Sequence, residues 1–148
     1  MRYDIVFNAP TAAEAYEQAP PLAEESATVA GLLRELEPEH RPAYLGTALP
    51  SEEREVLLRR AACADRQWWA TRNAADGLAA VAVGFALMQF DQSHPDEVGG
   101  PIGPDSVEWD AEGGVQAYVR QEYQHWLTVP PGCADPCPEA DPCVWHAR

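Results

Sequence analysis

The chain has 148 residues, a formal net charge of −14 and no lysine, so all 10 of its basic side chains are arginines. This length suits one domain. The lack of lysine excludes the P-loop nucleotide site and enzymes that form a Schiff base with lysine. The strong acidity argues against direct binding to nucleic acid, whose phosphates attract clustered lysine and arginine.

The N-terminal third predicts a strand followed by two helices. Residues 2–7 alternate apolar and polar side chains, which is typical of a short strand. Thr11 and Glu14 have the spacing of a capping box, so a short helix is expected to begin there. Two prolines end that helix, and residues 22–36 predict a second helix with an apolar face.

The middle of the chain predicts two longer helices. The first begins at the N-cap residue Ser51, and we expect its arginines to point into solvent. Residues 78–90 are apolar on nearly all sides, which predicts a central helix covered by its neighbours. This run is shorter than the roughly 20 residues that span a bilayer, and the first residues lack the apolar core of a signal peptide. We therefore expect a cytoplasmic protein that does not bind membranes.

The last third predicts a second strand and a last helix. Residues 106–110 alternate in polarity and can pair with the first strand, while residues 114–127 carry an apolar stripe at helical spacing. The expected fold is mainly α, a single-domain bundle of about four main helices over residues 1–128 that includes this short ribbon. An irregular Cys/Pro-rich tail over residues 129–148 is expected to pack on the bundle.

Three cysteines and a histidine lie close together in the tail: Cys133, Cys137, Cys143 and His146. Thiolate and imidazole are zinc ligands in small structural sites, so this set predicts a zinc knot that clips the tail to the bundle. The tail also repeats Ala-Asp-Pro-Cys, and Asp-Pro favours a tight turn before each cysteine. Two alternatives stay open: disulfides between these cysteines, and packing without a ligand.

A second metal site would combine Cys63 with the three tail cysteines Cys133, Cys137 and Cys143. This set resembles the four-cysteine iron–sulfur pattern of WhiB-type actinobacterial regulators, with which it shares a last gap of five residues. Its middle gap has three residues where that pattern has two. The resemblance implies a redox-sensing iron–sulfur cluster as an alternative to zinc.

Two features predict a surface for a protein partner. Adjacent side chains on a helix point about 100° apart, so one tryptophan of the Trp68–Trp69 pair can stay partly exposed and anchor a partner. The alternative is that two neighbouring helices cover both rings. The second feature is an acidic stretch, because residues 73–119 contain no arginine. Within it, Asp91, Asp96 and Glu97 are expected to lie on the surface, where they can attract a basic partner.

An enzyme stays open as a third class of function. His40, His94, Asp91 and Glu97 are residue types that act as general acids and bases. No local catalytic motif joins them in the sequence, so such a site would have to be assembled by the fold.

Two helical stretches resemble short uncharacterised proteins of actinobacteria and their phages. Residues 57–62 read Leu-Leu-Arg-Arg-Ala-Ala and continue to Ala64-Asp65-Arg66, and residues 118–123 read Tyr-Val-Arg-Gln-Glu-Tyr and continue to Trp126. The resemblance implies no activity, since none is known for those proteins. The acidity and the lack of a local catalytic motif predict a non-enzymatic protein-binding factor, an accessory or inhibitor protein encoded by a phage or mobile element.

Overall fold

A computed structural model describes residues 9–128 as a bundle of helices. The α-helices of this part are α1 (Ala12–Tyr16), α2 (Leu22–Leu36), α3 (Pro50–Thr71), α4 (Ala74–Ser93) and α5 (Gly114–Thr128). No strand occurs between residues 9 and 128, and the predicted mainly α fold is confirmed. The predictions for residues 2–7 and for the tail at 129–148 lie outside the described residues.

Local hydrogen bonds fix where the first and third helices begin. Thr11 and Glu14 form the predicted capping box, with both side chains bonded to the other residue's backbone N–H. The third helix begins at Pro50, one residue before the predicted N-cap, because proline is favoured at the first helical position. The Glu52 carboxylate accepts from the Leu49 N–H at 3.2 Å and so completes this start.

The link between α3 and α4 is only two residues long. Arg72 adopts a left-handed conformation with φ 57°, and its N–H donates to the Trp68 carbonyl at 2.7 Å, which ends α3. The Asn73 side chain then accepts from the Asp76 N–H at 2.8 Å and caps the start of α4. The two longest helices therefore form an antiparallel hairpin.

The remaining helices pack around this hairpin. Helix α5 contacts both members, α2 packs on α3, and α1 packs on α5. Gly84 lets α5 approach α4 closely, since a Cβ there would lie 2.7 Å from a Val115 methyl. The apolar core lies where α3, α4 and α5 meet: Leu58, Ala61, Ala62, Leu87, Met88, Trp109, Tyr118, Val119 and Tyr123.

The predicted strand at residues 106–110 is wrong, because this segment contains the 3₁₀ turn Val107–Asp110. The buried Trp109 ring meets Tyr118 edge to face, with 5.3 Å between ring centroids, and its Nε1–H donates to the Gly103 carbonyl at 2.7 Å. Gly113, with φ 78°, then turns the chain into α5. The buried contacts of the Trp109 side chain determine this conformation. The alternating polarity of residues 106–110 is too short a signal to predict it.

Candidate functional site

Charged side chains meet in the interior, where α3, α4 and α5 contact one another. The Arg54 guanidinium donates to both oxygens of Asp91, at 2.8 and 2.9 Å, and to Glu122 at 2.7 Å. The Tyr118 hydroxyl donates to Asp91 at 2.5 Å. Both carboxylates are buried almost completely. We call these four side chains the Arg54 network, and they join all three helices.

Glu122 also holds the loop that follows α4. Its two oxygens accept from the backbone N–H groups of Gly99, at 2.9 Å, and Gly100, at 2.8 Å. The Gln121 amide donates both to Glu122, at 3.0 Å, and to the Ile102 carbonyl, at 2.8 Å. The Glu122 carboxylate therefore fixes α3, α5 and the loop that follows α4 relative to one another.

A second buried group ties α2 to α3 and α5. Arg59 donates to one oxygen of Glu25 at 2.9 Å, and the Tyr123 hydroxyl donates to the other oxygen. Glu25 and Tyr123 are fully buried. The Arg59 guanidinium also lies 5.2 Å from the Trp126 ring centroid, which adds a cation–π contact.

A third group ties α1 to α3 and α5. Arg120 donates to both oxygens of Asp65, at 2.8 and 3.0 Å, and the Tyr16 hydroxyl donates to the same carboxylate at 2.6 Å. Asp65 is buried. The bundle thus repeats one combination, a buried carboxylate held by an arginine and a tyrosine from other helices.

Burial sets the protonation of the tyrosines and the arginine in these groups. Burial, followed by the neighbouring carboxylates, raises the pKa of Tyr16, Tyr118 and Tyr123 well above the ordinary value. Burial opposes the charge of Arg54, but hydrogen bonds and attraction from Asp91 outweigh it and raise the pKa of Arg54. These hydroxyl groups and this guanidinium therefore stay protonated and act as permanent hydrogen-bond donors.

Two sequence predictions fail at these groups. The arginines of α3 were expected in solvent, yet Arg54 is buried because it pairs with Asp91 and Glu122. Asp91 was expected on an acidic surface, and this is wrong because Asp91 is fully buried. The oxygens of the buried carboxylates all accept hydrogen bonds from the protein itself, so the arrangement is suited to holding helices together.

The two tryptophans of the pair differ in exposure. Trp69 is 40% exposed, whereas Trp68 is half-buried, with its ring 2.9 Å from where a Cβ of Gly77 would lie. The Arg72 guanidinium lies 3.6 Å from the Trp69 ring centroid, and that of Arg120 lies 5.3 Å away. Partner binding through this pair stays a prediction.

The residues of the predicted acid–base site have separate surroundings. Glu97 is half-buried in the 3₁₀ turn Pro95–Glu97, and Asp96, predicted to lie on the acidic surface and not in this site, is exposed beside it. His94 stacks on Phe90 with 4.1 Å between ring centroids, and its Nδ1 lies 2.9 Å from the Phe90 carbonyl oxygen. Since Asp91 is engaged by Arg54, the enzyme hypothesis gains no assembled site from these residues.

An open cleft of about 360 Å³ lies between α2, the segment that follows it and the start of α3. Its lining is half apolar and half charged: Leu32, Glu35, Leu36, His40, Arg41, Pro42, Leu45, Glu52, Glu55 and Val56. Arg41 donates to both oxygens of Glu52, at 2.8 and 2.9 Å, and lowers the pKa of that carboxyl group. The Arg41–Glu52 ion pair therefore forms part of the wall of this cleft.

Beside this cleft, three side chains could hold a cation. Ligand atoms of Glu37, Glu39 and His40 lie within 4.8 Å of one another, and all three residues are exposed. His40 already contacts Glu37, with 3.4 Å between Nε2 and the carboxylate. Exposed acidic groups of this kind are common without a metal, so the cluster has no specific chemistry of its own.

The outer face of α4 is the most unusual surface of the described part. This face comprises the exposed residues of the helix, Ala74, Ala75, Leu78, Ala79, Val81, Ala82, Phe85, Ala86, Gln89, Gln92 and Ser93. None of them is charged, although the chain has a net charge of −14. Leu78 is 73% exposed, Phe85 51% and Val81 41%. Solvent-facing helix surfaces normally carry charged residues, so this face is suited to contact with another molecule.

The prediction that neighbouring helices cover residues 78–90 is therefore wrong. Helix α4 buries its opposite side, which carries Ala80, Gly84, Leu87 and Asp91. By length and composition, this is the one helix in residues 9–128 that could cross a membrane, and only 28% of its most apolar stretch is buried. Helix α4 therefore has more apolar side chains than its contacts with α3 and α5 bury.

The predicted metal ligands Cys133, Cys137, Cys143 and His146 lie outside the described residues, so zinc binding and the iron–sulfur alternative stay predictions. Cys63 is a half-buried free thiol on α3. Burial raises the pKa of the Cys63 thiol, which disfavours the thiolate form that binds metals. A comparison with protein-family models, curated proteins and solved structures finds no match to this chain.

Proposed function

We propose that this chain is a non-enzymatic protein-binding domain that contacts its partner through the outer face of α4. The observation that carries the proposal is the absence of charge among the exposed residues of that helix. An exposed apolar patch of this kind typically marks an interaction site in a soluble protein. The rest of the chain supplies the acidity that keeps it in solution.

The side chains of this face have the character of an interface centre. Leu78, Val81 and Phe85 follow one another at intervals of three and four residues, so they form one stripe along the helix. Aromatic residues are enriched at such centres and charged residues are depleted there. Phe85, more than half exposed, is the anchor that we expect to enter a pocket on the partner.

The buried ionisable groups support a role in binding over one in catalysis. Glu25, Asp65, Asp91 and Glu122 each accept hydrogen bonds from an arginine on another helix. A carboxylate engaged in this way is not free to move a proton to or from a substrate. We propose an accessory or inhibitor role in the cytoplasm of an actinobacterium, encoded by a phage or mobile element.

Paired substitutions on two exposed helices test the proposal. Leu78→Glu combined with Phe85→Glu places two charges on the outer face of α4, whereas Leu33→Glu places one on α2, where Leu33 is 40% exposed. The proteins captured from an actinobacterial lysate by the wild type are expected to be lost with the α4 variant and retained with Leu33→Glu. Circular dichroism establishes that both variants stay folded. Equal capture by all three chains would overturn the proposal.

A further inference from the structure

We infer that the cleft between α2 and the start of α3 binds an aliphatic cation, that is, an ammonium group on an unbranched carbon stem. None of the described residues that line this cleft belongs to α4, so the site is independent of the proposed function. Three features of the cleft favour such a ligand. They are a wall that is held in place without a ligand, carboxylates that lack a cationic partner, and apolar side chains in the same lining.

The wall that contains Arg41 is held in place by its own hydrogen bonds. The Arg41 guanidinium donates to both oxygens of Glu52, at 2.8 and 2.9 Å. It also donates to the carbonyls of Gly46, at 2.6 Å, and Thr47, at 3.5 Å. These bonds tie the segment after α2 to the start of α3. A cleft of about 360 Å³ that is formed in advance loses little conformational freedom when a ligand enters it.

The charges of the lining have an excess of carboxylates. Arg41 is the one arginine among the described lining residues, and Glu52 matches its charge. Glu35 has no side-chain hydrogen bond or ion pair with any residue that the structure describes. Glu55 lies 4.0 Å from Arg59 Nη1, which is a long contact for an ion pair. Two carboxylates are therefore available to attract a ligand of positive charge.

Ligands of other charge fit this lining less well. An anion would meet the carboxylates of Glu35 and Glu55, while Arg41 already donates four hydrogen bonds within the protein. A neutral apolar ligand would take the same two carboxylates out of water without replacing their hydrogen bonds, which costs free energy. The lining therefore selects a cation.

The apolar part of the lining favours a cation with a carbon stem over a metal ion. Leu32 and Leu36 from α2, Val56 from α3 and Leu45 from the connecting segment all line the cleft. A hydrated metal ion gains nothing from such side chains. The methylene groups of an alkylammonium ion can pack on them while the charged group stays beside the carboxylates and water.

The cation can be a free amine or a lysine side chain of a protein partner, since both present the same group. This chain has no lysine, so it cannot supply one from its own sequence. Residues 129–148 carry three acidic residues and a single arginine, Arg148, so their charge is poorly matched to the cleft. The ammonium group is therefore expected to come from another molecule.

Titration of the isotope-labelled full chain with n-pentylammonium, followed by NMR, tests the site. We expect shifts in the backbone signals of residues 35–36, 41–45 and 55–56, with a dissociation constant on the order of 1 mM. Two matched compounds separate the contributions of charge and stem. Pentanoate keeps the stem and reverses the charge, whereas methylammonium keeps the charge and lacks the stem. Each should bind at least about 10-fold more weakly.

Two double variants test the carboxylates. Glu35→Gln with Glu55→Gln removes both from the cleft and should weaken n-pentylammonium binding roughly 10-fold. Glu17→Gln with Glu24→Gln changes the net charge by the same amount at exposed positions outside the lining. This control should bind within about 2-fold of the wild type, because distant exposed charges are screened. Circular dichroism establishes that both variants stay folded.

Several results would overturn the site. They are equal weakening in both double variants, pentanoate or methylammonium binding as tight as that of n-pentylammonium, shifts that lie outside the cleft, and no shifts up to roughly 20 mM ligand. Nα-acetyl-lysine amide separates the two sources of the cation. Binding at least as tight as that of n-pentylammonium assigns the cleft to a lysine of a protein partner, and weaker binding assigns it to a free amine. Capture of proteins through α4 is measured separately, so either site can fail without the other.

Discussion

The two sides of α4 reverse the usual distribution of polarity. On the inner side, Asp91 is fully buried and bonded to Arg54 and Tyr118. On the outer side, two turns earlier, Phe85 is half exposed among uncharged residues. The comparison shows that a charged side chain can be buried in this helix where arginine and tyrosine partners meet it, whereas apolar side chains without neighbours stay in water.

The same comparison separates what stabilises the fold from what remains for binding. A buried ion pair adds little net stability compared with apolar packing, but the loss of one member leaves an unpaired charge in the interior. The inner side is therefore sensitive to substitution. The outer face contributes little to the folding of one copy, because its side chains remain in water.

Removal of the central arginine is expected to have the largest effect. Arg54→Met leaves both Asp91 and Glu122 without a cationic partner, so the free energy of unfolding should fall by about 3–5 kcal/mol. Urea unfolding followed by circular dichroism measures the change. The matched control is Arg60→Met at an exposed position of the same helix, expected to shift stability by no more than about 0.5 kcal/mol. Similar losses in both variants would contradict the importance of the network.

Alkaline pH is expected to have the next largest effect. The unfolded chain loses tyrosine protons near pH 10, whereas the raised pKa of Tyr16, Tyr118 and Tyr123 keeps these hydroxyl groups protonated in the fold. Their contribution is therefore complete below about pH 10 and is lost as the pH rises further. Each tyrosine accounts for up to about 1.4 kcal/mol per pH unit.

Tyrosinate absorbance together with urea unfolding above pH 10 measures this decline. Tyr118→Phe should reduce its slope, since one of the protected hydroxyl groups is then absent. Tyr44→Phe should not, because Tyr44 is 86% exposed and folding leaves its ring in water. A decline that stays the same in Tyr118→Phe would show that this tyrosine does not couple ionisation to folding.

The outer face should give the smallest effect on folding. Phe85→Gln removes an aromatic ring that is already half exposed, so the unfolding free energy of the monomer should change by about 0.5 kcal/mol or less. The measurement is made by urea unfolding at low protein concentration. A loss of about 2 kcal/mol, typical of a buried side chain, would mean that the ring contributes to the core and would abolish the contrast between the two sides.

The starts of α1, α2 and α5 could be predicted well because caps and breakers mark them, whereas α4 begins at Ala74, four residues before the predicted central helix. Prolines before residue 22 and glycine at residue 114 bound α2 and α5, and both helices begin where the sequence predicts. The capping box at Thr11 was also predicted. These signals depend on contacts within a few residues, so they can be seen without the tertiary structure.

The partners of the charged residues could not be predicted in the same way. Arg54, Leu58, Ala61 and Asp65 share one face of α3, and this helical spacing is a signal that places two charged residues inward. The sequence does not show which carboxylate meets which arginine, because Arg54 and Glu122 are 68 residues apart. The exposed side of α4 could not be predicted either. Its sequence is apolar on nearly all sides, so the pattern does not show which side is buried.

Two glycines of the loop that Glu122 holds leave no room for a larger side chain in the present arrangement. A Cβ at Gly100 would collide with the Glu122 carboxylate and the Gln121 amide, and a Cβ at Gly99 would collide with the His125 ring. A homologue that keeps Glu122 and His125 in these positions is therefore expected to keep glycine at 100 and 99 as well.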